Sequence, residues 1–328
     1  MEERLVEILA LALQFHVSDI HFTLLAKEDG SESLTIEMRV HGKMKRLKKD
    51  ERDIRLFRYL MYRADLDLSS VFLPQTGSFE AVVKERRISL RFAIMAGYHQ
   101  SSGVLRILND HSGLSINDLS FDPDTVQYLS HITDHTSGLV VFSGPTGSGK
   151  TTSLYTILDA VNGRKIYTLE DPVEVVHERY IQLQVNEKQH MSYAEGIRQL
   201  MRHDPDIIMI GEIRDSEAAM MAVRCALTGH LVVTSLHAQD CVSAILRLLE
   251  LGVDAYQLKD VLTGVLNQRL FEMKDGRKTG IYEFMDRKEV EYWFENKCTS
   301  TDFVPLARKL EEAGISELDT AIISKDNF

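Results

Sequence analysis

Residues 144–151, Gly144-Pro145-Thr146-Gly147-Ser148-Gly149-Lys150-Thr151, fill the pattern G-x-x-x-x-G-K-[ST] completely. An apolar run, LVVF, precedes them, and TTSLYTILDAV, a helical pattern, follows. Glycine at these spacings lets the backbone curl until successive N–H groups face a phosphate, and the following helix adds its positive end. Lys150 is placed to reach β- and γ-phosphates, and the Thr151 hydroxyl to ligate Mg²⁺. The candidate nucleotide-binding set is therefore Gly144, Pro145, Thr146, Gly147, Ser148, Gly149, Lys150, Thr151 and Thr152. A glycine-rich turn that binds nothing would explain neither the strand before it nor the helix after it.

Three more blocks carry polar groups at the ends of apolar runs. In DPDIIMIGEIRD the run 207–210 leads to Glu212, a candidate general base for an attacking water. Gly211 stands where an aspartate for Mg²⁺ would be expected, which leaves the metal to Thr151 and water. In YTLEDPVE, Glu170 is a candidate for Mg²⁺ binding through water or for placing the nucleophile, while Asp171 and Glu174 suit turn and capping roles as well. In TGHLVVTSLH, His230 precedes an apolar run and His237 follows it, where a polar group could sense a γ-phosphate. A lone histidine is otherwise more often structural.

These residues need a scaffold that brings strand ends to one edge. The runs 139–142, 165–169, 207–210 and 231–234 are apolar or β-branched, and most are separated by helical segments at 150–161, 192–203, 216–227 and 240–250. Buried strands alternating with helices indicate an α/β domain with a mainly parallel sheet, whose strand C-termini line the phosphate-loop edge. The first 109 residues read differently. A helix at 2–16, strands at 20–25 and 34–40, a turn at His41-Gly42, a helix at 51–64 and strands at 79–83, 88–95 and 104–108 make a smaller α+β domain. DHSGLSINDLSFDP, rich in Asn, Asp, Ser and Gly, is the expected linker at 110–123. The second domain is then 124–328, with a polar, helical tail from 286.

Composition narrows the function. Hydrophobic residues are 44% and charged residues 27%, which excludes a chain disordered over most of its length. Three cysteines, with no C-x-x-C pair, argue against structural zinc and against a disulfide scaffold. The net charge of −11 lowers the reading of a nucleic-acid binder, and no basic groove with interleaved aromatics supports a helicase. Residues 1–109 hold 17 basic and 15 acidic residues, against 21 and 34 in residues 110–328, so one copy's first half is open to attraction by another's second half. MEERLVEILA lacks the features of a secretory signal, and no apolar stretch is long enough to span a bilayer. The expectation is a cytoplasmic protein.

The four blocks, in this order, resemble the secretion ATPase superfamily of type II secretion and type IV pili. So do Ser18-Asp19-Ile20-His21, the RVHGKM of 39–44, Pro74-Gln75-Thr76-Gly77 and Gly280-Ile281-Tyr282-Glu283. The resemblance spans roughly residues 17–285. It implies a PAS-like first domain, a RecA-like P-loop ATPase domain, ATP and Mg²⁺ as ligands, and a homo-hexamer at the inner face of the membrane that drives an integral-membrane platform protein. It also implies that Arg91 and Arg106, matching the family's first-domain arginines, reach the phosphates; surface ion pairs are the other reading. Arg198, Arg202 and Arg214 are weaker candidates. The absence of a four-cysteine insert and a start almost directly at the PAS-like domain are most similar to the competence-pilus assembly ATPases of Gram-positive bacteria. A pilus-retraction motor, a phosphotransferase and a nucleotide-gated scaffold with little hydrolysis are the alternatives.

Overall fold

The computed structural model describes residues 1–15, 17–26, 30–40, 43–68, 73–97, 100–108, 114–173, 176–185, 191–272 and 278–313. His41-Gly42, Glu174, the first part of the expected linker (110–113) and the end of the tail (314–328) lie outside them. The chain divides into two compact units. One is Met1–Asp110 with Pro172–Val176; the other is His111–Asp171 with His177–Phe328.

In the first unit α1 (Glu2–Gln14) buries Leu5, Ile8, Leu9 and Ala12, one face at helical spacing. There follow β1 (Asp19–Ala26), β2 (Glu32–Val40), β3 (Lys43–Arg46), α2 (Asp53–Arg63), β4 (Gln75–Val83), β5 (Arg86–Ala96) and β6 (Gln100–Ile107). The strands form one antiparallel sheet in the order β3-β2-β1-β6-β5-β4. Phe22, Phe57 and Phe92 meet at its centre with ring centroids 5.6–6.3 Å apart. Gly103 lies against two of these rings, and a Cβ there would stand 2.8 Å from each. The edge strand β3, KMKR, is exposed along its whole length, so it carries no apolar alternation to reveal it in sequence. Its lysines and arginine suit an edge that must not pair with another chain.

The second unit opens with α3 (Ile116–Leu119) and α4 (Pro123–His131), then runs β7 (Gly138–Ser143), α5 (Lys150–Asp159), β8 (Ile166–Glu170), β9 (Ile181–Gln184), α6 (Tyr193–Leu200), β10 (Ile207–Ile210), α7 (Ser216–Leu227), β11 (Leu231–Leu236), α8 (Cys241–Glu250), α9 (Ala255–Val261), β12 (Leu262–Glu272), β13 (Lys278–Met285), α10 (Arg287–Asn296) and α11 (Leu306–Glu312). Its sheet has the order β13-β12-β7-β11-β10-β8-β9, parallel except for the β12–β13 pair. Alternate residues of β7 enter different cores. Leu139 and Val141 pack in one with α6 to α10, and Val140 and Phe142 in the other with α4 and α5. Burial on both faces is why these strands read as unbroken apolar runs. Asp215, Asp240, Asp254 and Asp286 cap the N-termini of α7 to α10, each accepting from a backbone N–H of the first turn. The fold is α/β: an antiparallel sheet unit followed by a doubly wound, mainly parallel one.

Part of the expected linker is structured. Ser115 and Asp118 form a capping box around α3, and Leu119 is buried in the second unit's core. The hydrogen-bonding side chains that read as linker composition here start a helix.

Candidate active site

The phosphate loop joins β7 to α5. Gly144, Gly147 and Gly149 have φ of +142°, +77° and +85°, a region in which a side chain is strained. A Cβ on Gly144 would also lie 2.5 Å from the Gln268 carbonyl oxygen, and one on Gly149 2.9 Å from Gln268 Nε2. Gly144 therefore requires glycine for space as well as for conformation, and Gly149 for conformation. Pro145, Thr146 and Gly147 are exposed, Ser148 is buried, and Thr151 and Thr152 sit half-buried in the first turn of α5. Among the described residues the Ser148 hydroxyl has no hydrogen-bond partner. Lys150 is buried and donates to the carbonyls of Gly144 (2.9 Å) and Pro145 (3.0 Å). Burial pushes its ammonium group down to about 8; Glu212 opposes this and Arg269 adds to it. A glycine cradle, an unpartnered buried hydroxyl and a desolvated lysine make a fit for a phosphate chain.

His237 ties the loop to the candidate base. Its Nδ1–H donates to the Gly144 carbonyl at 3.0 Å, and its Nε2 lies 3.3 Å from Glu212 Oε1. Arg214 donates to the other Glu212 oxygen from Nε (3.0 Å) and Nη2 (2.9 Å), and its Nη1 reaches Asp171 at 3.1 Å. His237, Glu212 and the loop meet because β7, β11 and β10 are neighbouring parallel strands that end at one edge. His230 is at the opposite end of β11, where Nδ1 contacts the Cys225 carbonyl and Thr228 Oγ1, a structural position.

Glu170 ends β8 beside Gly211 and is buried. Oε1 accepts from Thr168 Oγ1 (2.6 Å) and Gln182 Nε2 (3.2 Å), and Oε2 from Tyr155 OH (2.6 Å). The Gln182 amide is oriented in turn by the His177 N–H, which donates to its Oε1 at 2.7 Å. Glu170 is thus a carboxylate held from three sides. Among the described residues no three of His, Cys, Asp and Glu gather to hold a metal ion. Thr151 and Glu170 could instead supply the one or two protein ligands, direct or through water, that Mg²⁺ takes beside phosphate oxygens.

Arg91 and Arg106 are in the first unit. Direct cross-strand pairing puts Asp19, Arg106, Arg91 and Ser78 in one row across β1, β6, β5 and β4, and hence on one face of that sheet. Arg106 Nε donates to Asp19 Oδ1 at 2.7 Å, and the arginine remains half exposed. Arg198 pairs with Glu195 and Glu217 on the surface.

Sequence reading did not find the groups behind the loop. Asn267 Nδ2 donates to Ser143 Oγ and to the Ala238 carbonyl, and Ser153 Oγ donates to Gln268 Oε1 and contacts Tyr282 OH. The signal available was the polar run Asn267-Gln268-Arg269 inside the otherwise apolar VLNQRLF of β12. Tyr155, among the apolar residues of α5, gave none.

The type II/IV secretion system protein family matches residues 1–320. Competence protein ComGA of Bacillus subtilis (strain 168) is 40% identical over 232 residues, which are 70% of this chain and 65% of that protein. Against further curated relatives the chain spans about half of their length. The Legionella pneumophila ATPase DotB superposes with a TM-score of 0.74 at 21% identity, covering 99% of this chain and 96% of DotB. The pilus retraction motor PilT, crystallised with bound ADP, gives 0.68 at 25% identity, covering 89% and 86%. Among the described residues no helix is long and apolar enough to cross a membrane. The chain belongs to the type II/IV secretion system protein family, a family of secretion ATPases.

Proposed function

We propose that this protein hydrolyses ATP as a homo-hexameric motor at the cytoplasmic face of the membrane, and that it powers assembly of a competence pseudopilus through an integral-membrane platform protein. The observation that carries the hydrolytic reading is the His237 ring. It connects the Gly144 carbonyl of the phosphate loop to Glu212. The identity to ComGA supports the competence branch.

In this reading the loop N–H groups and Lys150 hold the phosphate chain, and Thr151 and Glu170 are the residues that would hold Mg²⁺, directly or through water. Mg²⁺, when bound, neutralises charge on the β- and γ-oxygens. Glu212 takes a proton from water as the water oxygen bonds to the γ-phosphorus and the bond to the β–γ bridging oxygen breaks, leaving ADP and phosphate. His237 orients Glu212 relative to the loop. Arg91 and Arg106 stabilise the charge that spreads over the γ-oxygens. The test is phosphate release from ATP with no acceptor present. Native protein is expected to release it and Lys150→Ala to lose both nucleotide binding and release; a phosphotransferase would release none without its acceptor.

Lys150 gives the site a pH signature. Its conjugate-acid form is already disfavoured in the free protein, with a pKa near 8. A polyphosphate would favour that form and raise the pKa again, so binding near pH 8 takes up about half a proton on average. Affinity should then fall by up to about tenfold per pH unit as pH rises above 8, and hold steady below it. Calorimetry in two buffers of different ionisation enthalpy reads the proton directly. Equal heats in both buffers at pH 8 would count against the assignment.

A further inference from the structure

Arg269 follows Asn267 and Gln268 on β12, and its guanidinium faces neutral acceptors. Nη1 donates to Asn267 Oδ1 (3.0 Å) and to the Gln268 carbonyl (3.2 Å), and Nη2 to the Gln239 carbonyl (3.0 Å). Two carboxylates lie close enough to act on it, Glu283 and Asp240, but both are committed elsewhere. Glu283 accepts from the backbone N–H groups of Cys241 and Leu306, and Asp240 caps α8 by accepting from Ser243. Burial consequently pushes Arg269 below the usual arginine range.

Lys150 is in the same condition a short distance away. It too donates only to carbonyls among the described residues, those of Gly144 and Pro145. Among the described residues neither cation makes an ion pair. Both lie against Gly144: Lys150 donates to its carbonyl, Arg269 lines a cleft with Gly144, Pro145, His237, Ala238 and Gln239, and a Cβ on Gly144 would stand 3.4 Å from Arg269 Nη1. Two partly desolvated cations around one glycine repel each other, and an anion in that cleft relieves both. Of the five guanidinium N–H groups, the Nε–H and one on Nη2 have no partner among the described residues, and this fork suits two phosphate oxygens.

We propose that Arg269 is a second phosphate-binding cation of the nucleotide site, supplied by β12 and held in place by Asn267 and Gln239. This rests on the nucleotide reading above and adds a residue that none of the four sequence blocks contains. Gln239, which its guanidinium holds, lies two residues beyond His237, so the same side chain braces the segment that carries the histidine.

The experiment measures the affinity of a fluorescent ADP and of a non-hydrolysable ATP analogue for full-length protein, its Arg269→Gln and its Arg269→Lys, at two salt concentrations. Arg269→Gln is expected to weaken the ATP analogue by about tenfold or more, as loss of a charge-assisted contact does, and to flatten the salt dependence. Arg269→Lys, which keeps the charge and loses the fork, should fall between the two and preserves the test if the glutamine variant folds poorly. Affinities within twofold of the native protein in both variants would overturn the role of Arg269 while leaving the nucleotide reading intact. A native protein that binds neither nucleotide would overturn both.

Discussion

Glu212→Gln is expected to bind nucleotide within a few-fold of the native protein and to lose phosphate release by about 10²–10⁴-fold, the usual contribution of a positioned general base. The substitution keeps the size of the side chain and an oxygen that can accept from Arg214, which now holds Glu212 through Nε and Nη2. What it removes is the group able to take a proton. The position favours this role over a surface salt bridge for two reasons. Glu212 is only 22% exposed, and its second oxygen faces His237 rather than solvent. His237 in turn is anchored on the Gly144 carbonyl, so the carboxylate is indexed to the phosphate loop itself. Fluorescent ADP binding and phosphate release measured on one preparation separate the two effects. Native-like turnover in the variant would remove Glu212 from the chemistry and leave Arg214 and His237 as its structural neighbours. A proportional loss of binding and turnover would mean that Glu212 shapes the pocket instead.

The parts of this site that could be read from the sequence are those in which one strand delivers its own chemistry. The phosphate loop, Glu170, Glu212 and His237 each follow a short apolar run, and parallel pairing of those runs brings their ends to one edge without further information. Tyr155, Gln182 and Arg269 were not legible. Each lies on a different element from the group it serves, and only the packed structure puts the Tyr155 hydroxyl on Glu170 or Arg269 beside Gly144. The β12–β13 hairpin escaped for a related reason. Asn267, Gln268 and Glu283 are buried polar residues satisfied by partners distant in sequence, so they break the hydrophobic pattern without being exposed. Local rules did better with helix starts: the Asp that precedes α7 and the Asp that precedes α8 cap where those helices were expected to begin.

Replacing both Arg91 and Arg106 by Ala is expected to reduce turnover by at least about 10³-fold while ADP affinity changes far less, the signature of arginines that meet charge only as it develops on the γ-phosphate. The two residues are directly paired on neighbouring strands and so project from one face of the first unit's sheet, beside each other despite like charge. Asp19 offsets that repulsion at Arg106, through an ion pair that leaves the guanidinium half exposed. If that pair were the whole purpose of Arg106, its loss would cost about 0–1 kcal/mol of stability and nothing in rate. Chemical denaturation and steady-state phosphate release on the single and double variants therefore discriminate the readings: a small stability change with intact turnover assigns the row to the surface, whereas intact stability with lost turnover assigns it to the reaction. Mixing the double variant with Lys150→Ala then asks which copy supplies the arginines. Each parent is expected to be inactive. Recovery of turnover on mixing requires that the arginines of one copy serve the phosphate loop of another, because no single chain in the mixture has both. Failure to recover, with mixed assembly verified, would confine the arginines to the nucleotide of their own chain.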